Sequence, residues 1–139
     1  PNDSARYHAP VTEPLRIEPR WTDLDPAGHV NNSVFLVYAE EARNRLLHGV
    51  VPSAWSSIVV VHNGIDYHHP VLLDDRLAVT SAIEKIGTSS FTSISVISTA
   101  TDRCATVRTV QVVLAEDRSG ARPWTAEERA ALEEVLVTP

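Results

Sequence analysis

Over residues 32–47, Phe35, Ala39, Ala42 and Leu46 recur at helical spacing, and Val34, Leu36 and Tyr38 widen the apolar surface. Ser33, Glu40, Glu41, Asn44 and His48 share the remaining face. So broad an apolar first half predicts a helix buried on most sides, started by Asn31 or Asn32 and ended by Gly49. The period then changes from helix to strand. Residues 57–67 alternate, with Val59, Val61, Ile65 and Tyr67 on one face, His62, Gly64 and Asp66 on the other, and a bulge expected at Gly64. Residues 76–86 turn Leu77, Val79 and Ile83 inward. Residues 89–100 form a Ser/Thr-rich strand with Phe91, Ile94, Val96 and Ile97, its serines fitting a half-exposed surface. Residues 104–116 add Val107, Val110, Val112 and Leu114. Successive hairpins of this length predict an antiparallel sheet.

The flanks are less periodic. Pro1, Pro10 and Pro14 predict an extended arm over residues 1–14, and residues 15–139 read as one domain. Residues 15–21 read as a first strand, with Pro19 marking an edge or an end. Thr125-Ala126-Glu127-Glu128 is a capping-box pattern opening a terminal helix to about residue 137, expected to act as a stabilising lid.

A net charge of -6 argues against non-specific nucleic-acid binding and against a basic membrane-surface protein. With a single cysteine, Cys104, no intrachain disulfide framework can form, and no apolar run approaches membrane-spanning length; the cytoplasm is the expected compartment. His62, His68, His69 and Asp66 match no closed zinc spacing, so no metal is expected. There is no Gly-x-Ser-x-Gly elbow, and the glycines stand singly rather than in a phosphate loop.

Chemistry concentrates in Asp23-Leu24-Asp25-Pro26-Ala27-Gly28-His29-Val30-Asn31-Asn32. Pro26 and Gly28 fold the chain tightly and deliver acidic side chains to a helix N-terminus. Free amides there stabilise charge developing on an acyl oxygen, and a neighbouring carboxylate serves as base or nucleophile. The alternative is that both aspartates are ordinary turn carboxylates and Asn31 a cap.

That loop, with Phe35-Leu36-Val37-Tyr38-Ala39-Glu40-Glu41-Ala42-Arg43 after it, resembles the hotdog-fold acyl-CoA thioesterases of the 4-hydroxybenzoyl-CoA thioesterase-like group. Asp66-Tyr67-His68-His69-Pro70-Val71 and Asp74-Asp75-Arg76-Leu77 extend the resemblance, which covers about residues 15–117. It implies an α+β hotdog fold, with five antiparallel strands around a long central helix. It also implies hydrolysis of an acyl-CoA thioester without a cofactor, with Asp25 catalytic and the Asn32 N–H polarising the carbonyl. His29-Val30-Asn31-Asn32 is similar to the plant acyl-carrier-protein thioesterases, so His29 is a third catalytic candidate and acyl carrier protein an alternative carrier. The expected assembly is an edge-to-edge homodimer, with a homotetramer as its doubled form.

Asp23 reads as a structural acceptor, since two close carboxylates would raise one pKa. At least one of Glu40 and Glu41 reads as a partner for Arg43, Asn44 or Arg45 on the helix surface, the alternative being that such a helix carboxylate serves the site, as in some hotdog thioesterases that this chain resembles in fold. Gly28, Tyr67, His68, Ser89 and Ser90 are the substrate-binding candidates. Hydration of an acyl-CoA is the rival chemistry, but Asp25 stands where the hydratase motif has Asn. An acyl-CoA sensor without turnover is the non-enzymatic rival.

Overall fold

A computed structural model of the chain describes residues 13–137, so the arm expected over 1–14 lies almost wholly outside the described residues. The broadly apolar segment forms α1 (Val34–Val50), which buries Phe35, Tyr38, Ala39, Ala42, Leu46 and Leu47. It lies against one five-stranded antiparallel sheet of β1 (Leu15–Ile17), β2 (Ile58–Tyr67), β3 (Leu77–Ile86), β4 (Ser90–Ser98) and β5 (Arg103–Val113), in the order β1-β3-β4-β5-β2. The short α2 (Ala126–Glu134) closes the far end. This is the hotdog arrangement. No helix among the described residues is long and apolar enough to cross a membrane.

Several local expectations change. β1 stops at Ile17, because Pro19 cannot extend the ladder, and Trp21–Asp23 form a single 3-10 turn. α1 starts two residues after Asn32: Asn31 Oδ1 accepts from the N–H and hydroxyl of Ser33 (3.0 and 2.8 Å) and so turns the chain ahead of the helix. Gly49 does not end α1, which runs through Val50; Pro52, which disfavours helical backbone at Val51, is the stop.

The bulge in β2 is at Val61 rather than Gly64, because the register passes from Val60↔Gln111 to His62↔Val110. One extra residue reverses the alternation, so Val59 shares a face with His62, Gly64 and Asp66, while Ile58, Val60, Asn63, Ile65 and Tyr67 lie on the other. In β4 the faces are likewise not those expected. Ser93 and Ser95 are buried in line with Phe91 and Ile97, and Ile94 and Val96 take the half-exposed face. Ser95 meets the Ser81 hydroxyl at 3.0 Å and Ser93 donates to the Thr109 carbonyl at 3.4 Å, so buried serines keep partners.

Two apolar clusters divide the interior. One gathers Val30, Phe35, Tyr38, Val71, Leu77 and Ile97 beneath the start of α1; the other gathers Leu46, Ile83, Phe91, Trp124 and Leu132 beneath its end. The capping box forms as expected, with Thr125 Oγ1 accepting from Glu128 N at 3.1 Å and Glu128 Oε1 accepting from Thr125 N at 2.9 Å. Arg122 then grips Glu128 at 2.8 and 2.9 Å, and mainly for that reason the Glu128 carboxyl is held down at about 2. Beyond α2, Val137 N donates to Ile83 O at 2.8 Å, which ties the segment after α2 to the outer edge of β3.

Candidate active site

The loop before α1 is a small hairpin built by its own sequence. Pro26 and Ala27 occupy a turn closed by Gly28 N donating to Asp25 O at 3.0 Å, and Gly28 takes φ 84°, a left-handed value that a side chain would strain. Asp25 N donates to His29 O at 2.8 Å, and Leu24 pairs with Val30. Two bonds fix this hairpin to the rest of the fold: Val30 N donates to Val71 O and Asn31 N to Asp23 O, both at 2.8 Å.

The Asp23 side chain is 2% exposed. It accepts from Arg20 N at 2.9 Å, Arg20 Nη2 at 2.9 Å and the Tyr38 hydroxyl at 2.6 Å. Burial alone would raise its pKa, but the bonds from Arg20 and Tyr38 outweigh burial and hold it below the ordinary carboxylate range. Burial, followed by the bond to Asp23, pushes the Tyr38 hydroxyl upward. Asp23 is thus an anchor, as its structural reading expected, although side chains and the Arg20 amide supply its donors rather than the helix start.

Asp25 is only half-buried. Its Oδ1 accepts from Ala27 N at 2.9 Å and His29 N at 3.2 Å, and its Oδ2 has no partner among the described residues. At Asn32 the backbone is pinned on both sides, because Asn31 O accepts from Val34 N at 2.9 Å and Asn32 O accepts from the Tyr67 hydroxyl at 2.8 Å. In a trans peptide the N–H points opposite to the carbonyl, so the Asn32 N–H is directed away from the helix body. That amide has no partner among the described residues. The His29 ring is exposed and has no polar partner among them.

Asp25, His29, Asn32, Phe35, Tyr67 and His68 border one cavity of about 280 Å³. Tyr67 meets the Phe35 ring edge-on at 5.2 Å, and His68 Nε2 lies 3.0 Å from Thr106 Oγ1. Three catalytic candidates and two of the binding candidates therefore meet within a single chain. Gly28 shapes the turn without bordering the cavity. Ser89 and Ser90 are elsewhere: their carbonyls accept from Val113 N and from Gly87 N and Trp124 Nε1. Ser90 pairs with Val112 whereas Tyr67 pairs with Ala105, a separation of roughly 23 Å along β5 at about 3.3 Å per residue. A larger cavity, about 390 Å³, opens between β1 and the second half of α1. It lies away from the hairpin, and it is chemistry rather than size that distinguishes the smaller one. Among the described residues no three His, Cys, Asp or Glu side chains group to hold a metal.

The residues that sequence reasoning missed are supports. Tyr38 reads in the sequence as apolar surface, yet a buried tyrosine hydroxyl needs a partner, and Asp23 at the mouth of the same helix supplies it. Glu41 pairs with Arg45 at 2.8 Å on the helix surface as expected, but Arg43 turns inward and is 3% exposed.

A family model described as the thioesterase-like superfamily matches residues 19–136. The chain is 34% identical over 80 residues to a long-chain acyl-CoA thioesterase, FadM, of Escherichia coli, a match spanning 54% of this chain and 61% of that relative. In structure it is similar to a Thermus thermophilus thioesterase complexed with coenzyme A and Zn, with 32% identity, TM-score 0.82 and coverage of 91% and 96% of the two chains. It is also similar to a 1,4-dihydroxy-2-naphthoyl-CoA thioesterase from Synechocystis, with 25% identity, TM-score 0.76 and coverage of 89% and 97%.

Proposed function

Because the chain belongs to the thioesterase-like superfamily, we propose that it hydrolyses an acyl-CoA thioester to a free acid and CoA at the cavity beside α1. The observation that carries this reading is the meeting, at one cavity, of a carboxylate oxygen and a backbone N–H that both lack protein partners among the described residues. In this reading Asp25 takes a proton from water as the water oxygen attacks the thioester carbon. The Asn32 N–H receives the oxyanion, and collapse expels the thiolate of CoA, which recovers the proton. Direct attack by Asp25 gives an acyl anhydride that water then opens, with the same products. His29, at the rim, orients water or the departing thiol.

The same reading takes CoA as the carrier, with acyl carrier protein as the alternative, and the cytoplasm as the compartment. It also takes the working form to be a dimer. β2 ends the sheet order, and Val60 and Val61 are 42% and 59% exposed along it, so a second copy would satisfy that edge. A tetramer would pair two such dimers. The test is thiol release from matched acyl-CoA and acyl-carrier-protein thioesters by wild type and Asp25→Asn. Binding without release of thiol by the wild type would make the protein an acyl-CoA sensor instead.

A further inference from the structure

The backbone at Asn32 stands outside the hydrogen-bond ladder of the helix it precedes. Val34 N donates to Asn31 O at 2.9 Å and Leu36 N to Ser33 O at 3.3 Å, so the amide that a continued α-helix would turn toward Asn32 O is engaged one residue further on. No backbone N–H among the described residues reaches the Asn32 carbonyl, and the Tyr67 hydroxyl, at 2.8 Å, is its one donor there. The other side of the same peptide plane is held as well, because Ser33 N donates to Asn31 Oδ1 at 3.0 Å.

The hydroxyl is placed by the sheet rather than by the loop. Tyr67 is the last residue of β2 and pairs with Ala105 of β5, and the chain beyond it stays on β5 because His68 N donates to Cys104 O at 2.8 Å. Its ring meets Phe35 edge-on at 5.2 Å, and Phe35 is buried in the first turn of α1. Both rings border the Asp25 cavity. A phenol held by its strand and by its ring has little freedom to follow the carbonyl, so the carbonyl is held where the phenol is. Burial raises the Tyr67 pKa, so the hydroxyl keeps its proton and its donor role across neutral pH. We propose that Tyr67 is a positioning residue, whose bond keeps the Asn32 carbonyl off the helix ladder and the Asn32 N–H directed away from the helix body. Without that bond the helix winds back, Leu36 N takes the Asn32 carbonyl, and the Asn32 N–H turns into line with the helix axis. The inference rests on the thioesterase reading, in which that amide receives the oxyanion. Charge develops on the acyl oxygen only in the transition state, so a misdirected donor slows turnover more than it weakens binding.

Tyr67→Phe keeps the ring against Phe35 and deletes the bond alone. Its kcat should fall by about 10–10²-fold, with KM changed by less than about threefold. Crystal structures of the two proteins should show Asn32 O on the Tyr67 hydroxyl in the wild type and on Leu36 N in the variant. Replacing Tyr67 by difluorotyrosine separates donation from shape: activity should match wild type in acid and fall once the more acidic phenol ionises, an alkaline limb that Tyr67→Phe lacks. An unchanged kcat in Tyr67→Phe, or a rise in KM alone, would overturn the proposal, since the hydroxyl would then be idle or a substrate contact. A lowered melting temperature with kcat intact would also overturn it, by making the bond a matter of stability only. If the wild type releases no thiol from acyl-CoA, the thioesterase reading fails, and the crystal structures judge the positioning by themselves: a carbonyl transferred to Leu36 N upholds it, and one that stays in place overturns it.

Discussion

Asp23 and Asp25 stand two residues apart, and the two halves of the loop use them in opposite ways. The inner half surrounds Asp23 with Arg20 and Tyr38 until both carboxylate oxygens are engaged and solvent is excluded. The outer half engages one oxygen of Asp25 through the turn amides and leaves the other beside a cavity. A carboxylate with every lone pair answered stabilises a fold, while one held by a single oxygen keeps its direction and remains available to react.

The division can be broken from either side. The largest effect should come from Asp25→Asn, which keeps the oxygen that the turn amides bond and removes the basic charge. Turnover is expected to fall by about 10²–10⁴-fold with an unshifted melting curve. A parallel loss of stability would show that the outer half is structural too. Asp23→Ala should reverse the pattern, costing about 2–4 kcal/mol in denaturant unfolding, because the Tyr38 hydroxyl and Arg20 N–H lose their acceptor inside the protein. The exposed Arg20 guanidinium adds little to that figure.

Smaller effects sharpen the contrast. Tyr38→Phe should cost about 1 kcal/mol, one hydrogen bond. The folded-state pKa of Asp23 is lowered, so its stabilisation is complete above the ordinary carboxylate pKa and fades as pH falls below it. Glu128, held at about 2, adds a loss in the same direction between its ordinary range and pH 2. Acid melts of Asp23→Ala should therefore be flatter than those of wild type, and an identical slope would remove Asp23 from the acid limb. The smallest change is expected from His29→Ala, less than about tenfold in kcat, since its ring makes no bond that holds the loop. A loss equal to that of Asp25→Asn would move His29 into the chemistry.

Periodicity carried the architecture, because α1 repeats at 3.6 and β3 at 2 as far as its bulge at Glu84, and both bury the residues their patterns name. It failed in β2, where the extra residue sits at a valine and carries no glycine signal, and in β4, where serines lie inside because neighbouring hydroxyls and a carbonyl satisfy them. The hairpin residues were legible because Pro26 and Gly28 fix a turn locally. Tyr67 and His68 came with the family resemblance, and the fold brings them to the same cavity. Ser89 and Ser90 had no such local constraint, and the register carries them to the opposite end of the sheet. Arg43 was unreadable because a charge on a helix is ordinarily solvated, and only the tertiary fold turns it toward Thr109.

The tie from Val137 to Ile83 bears on the valence of the molecule. With β1 covering Leu77–Val79 and Val137 bonded at Ile83, the outer margin of β3 is interrupted at two places by segments of the same chain. Among the described residues β2 is the strand that presents a long free margin, and a unit with one adhesive margin would join one neighbour before it is saturated. If such a unit associates through its edges, it would close as a pair rather than propagate into a ribbon, and the segment after α2 would act as a stop on the β3 side.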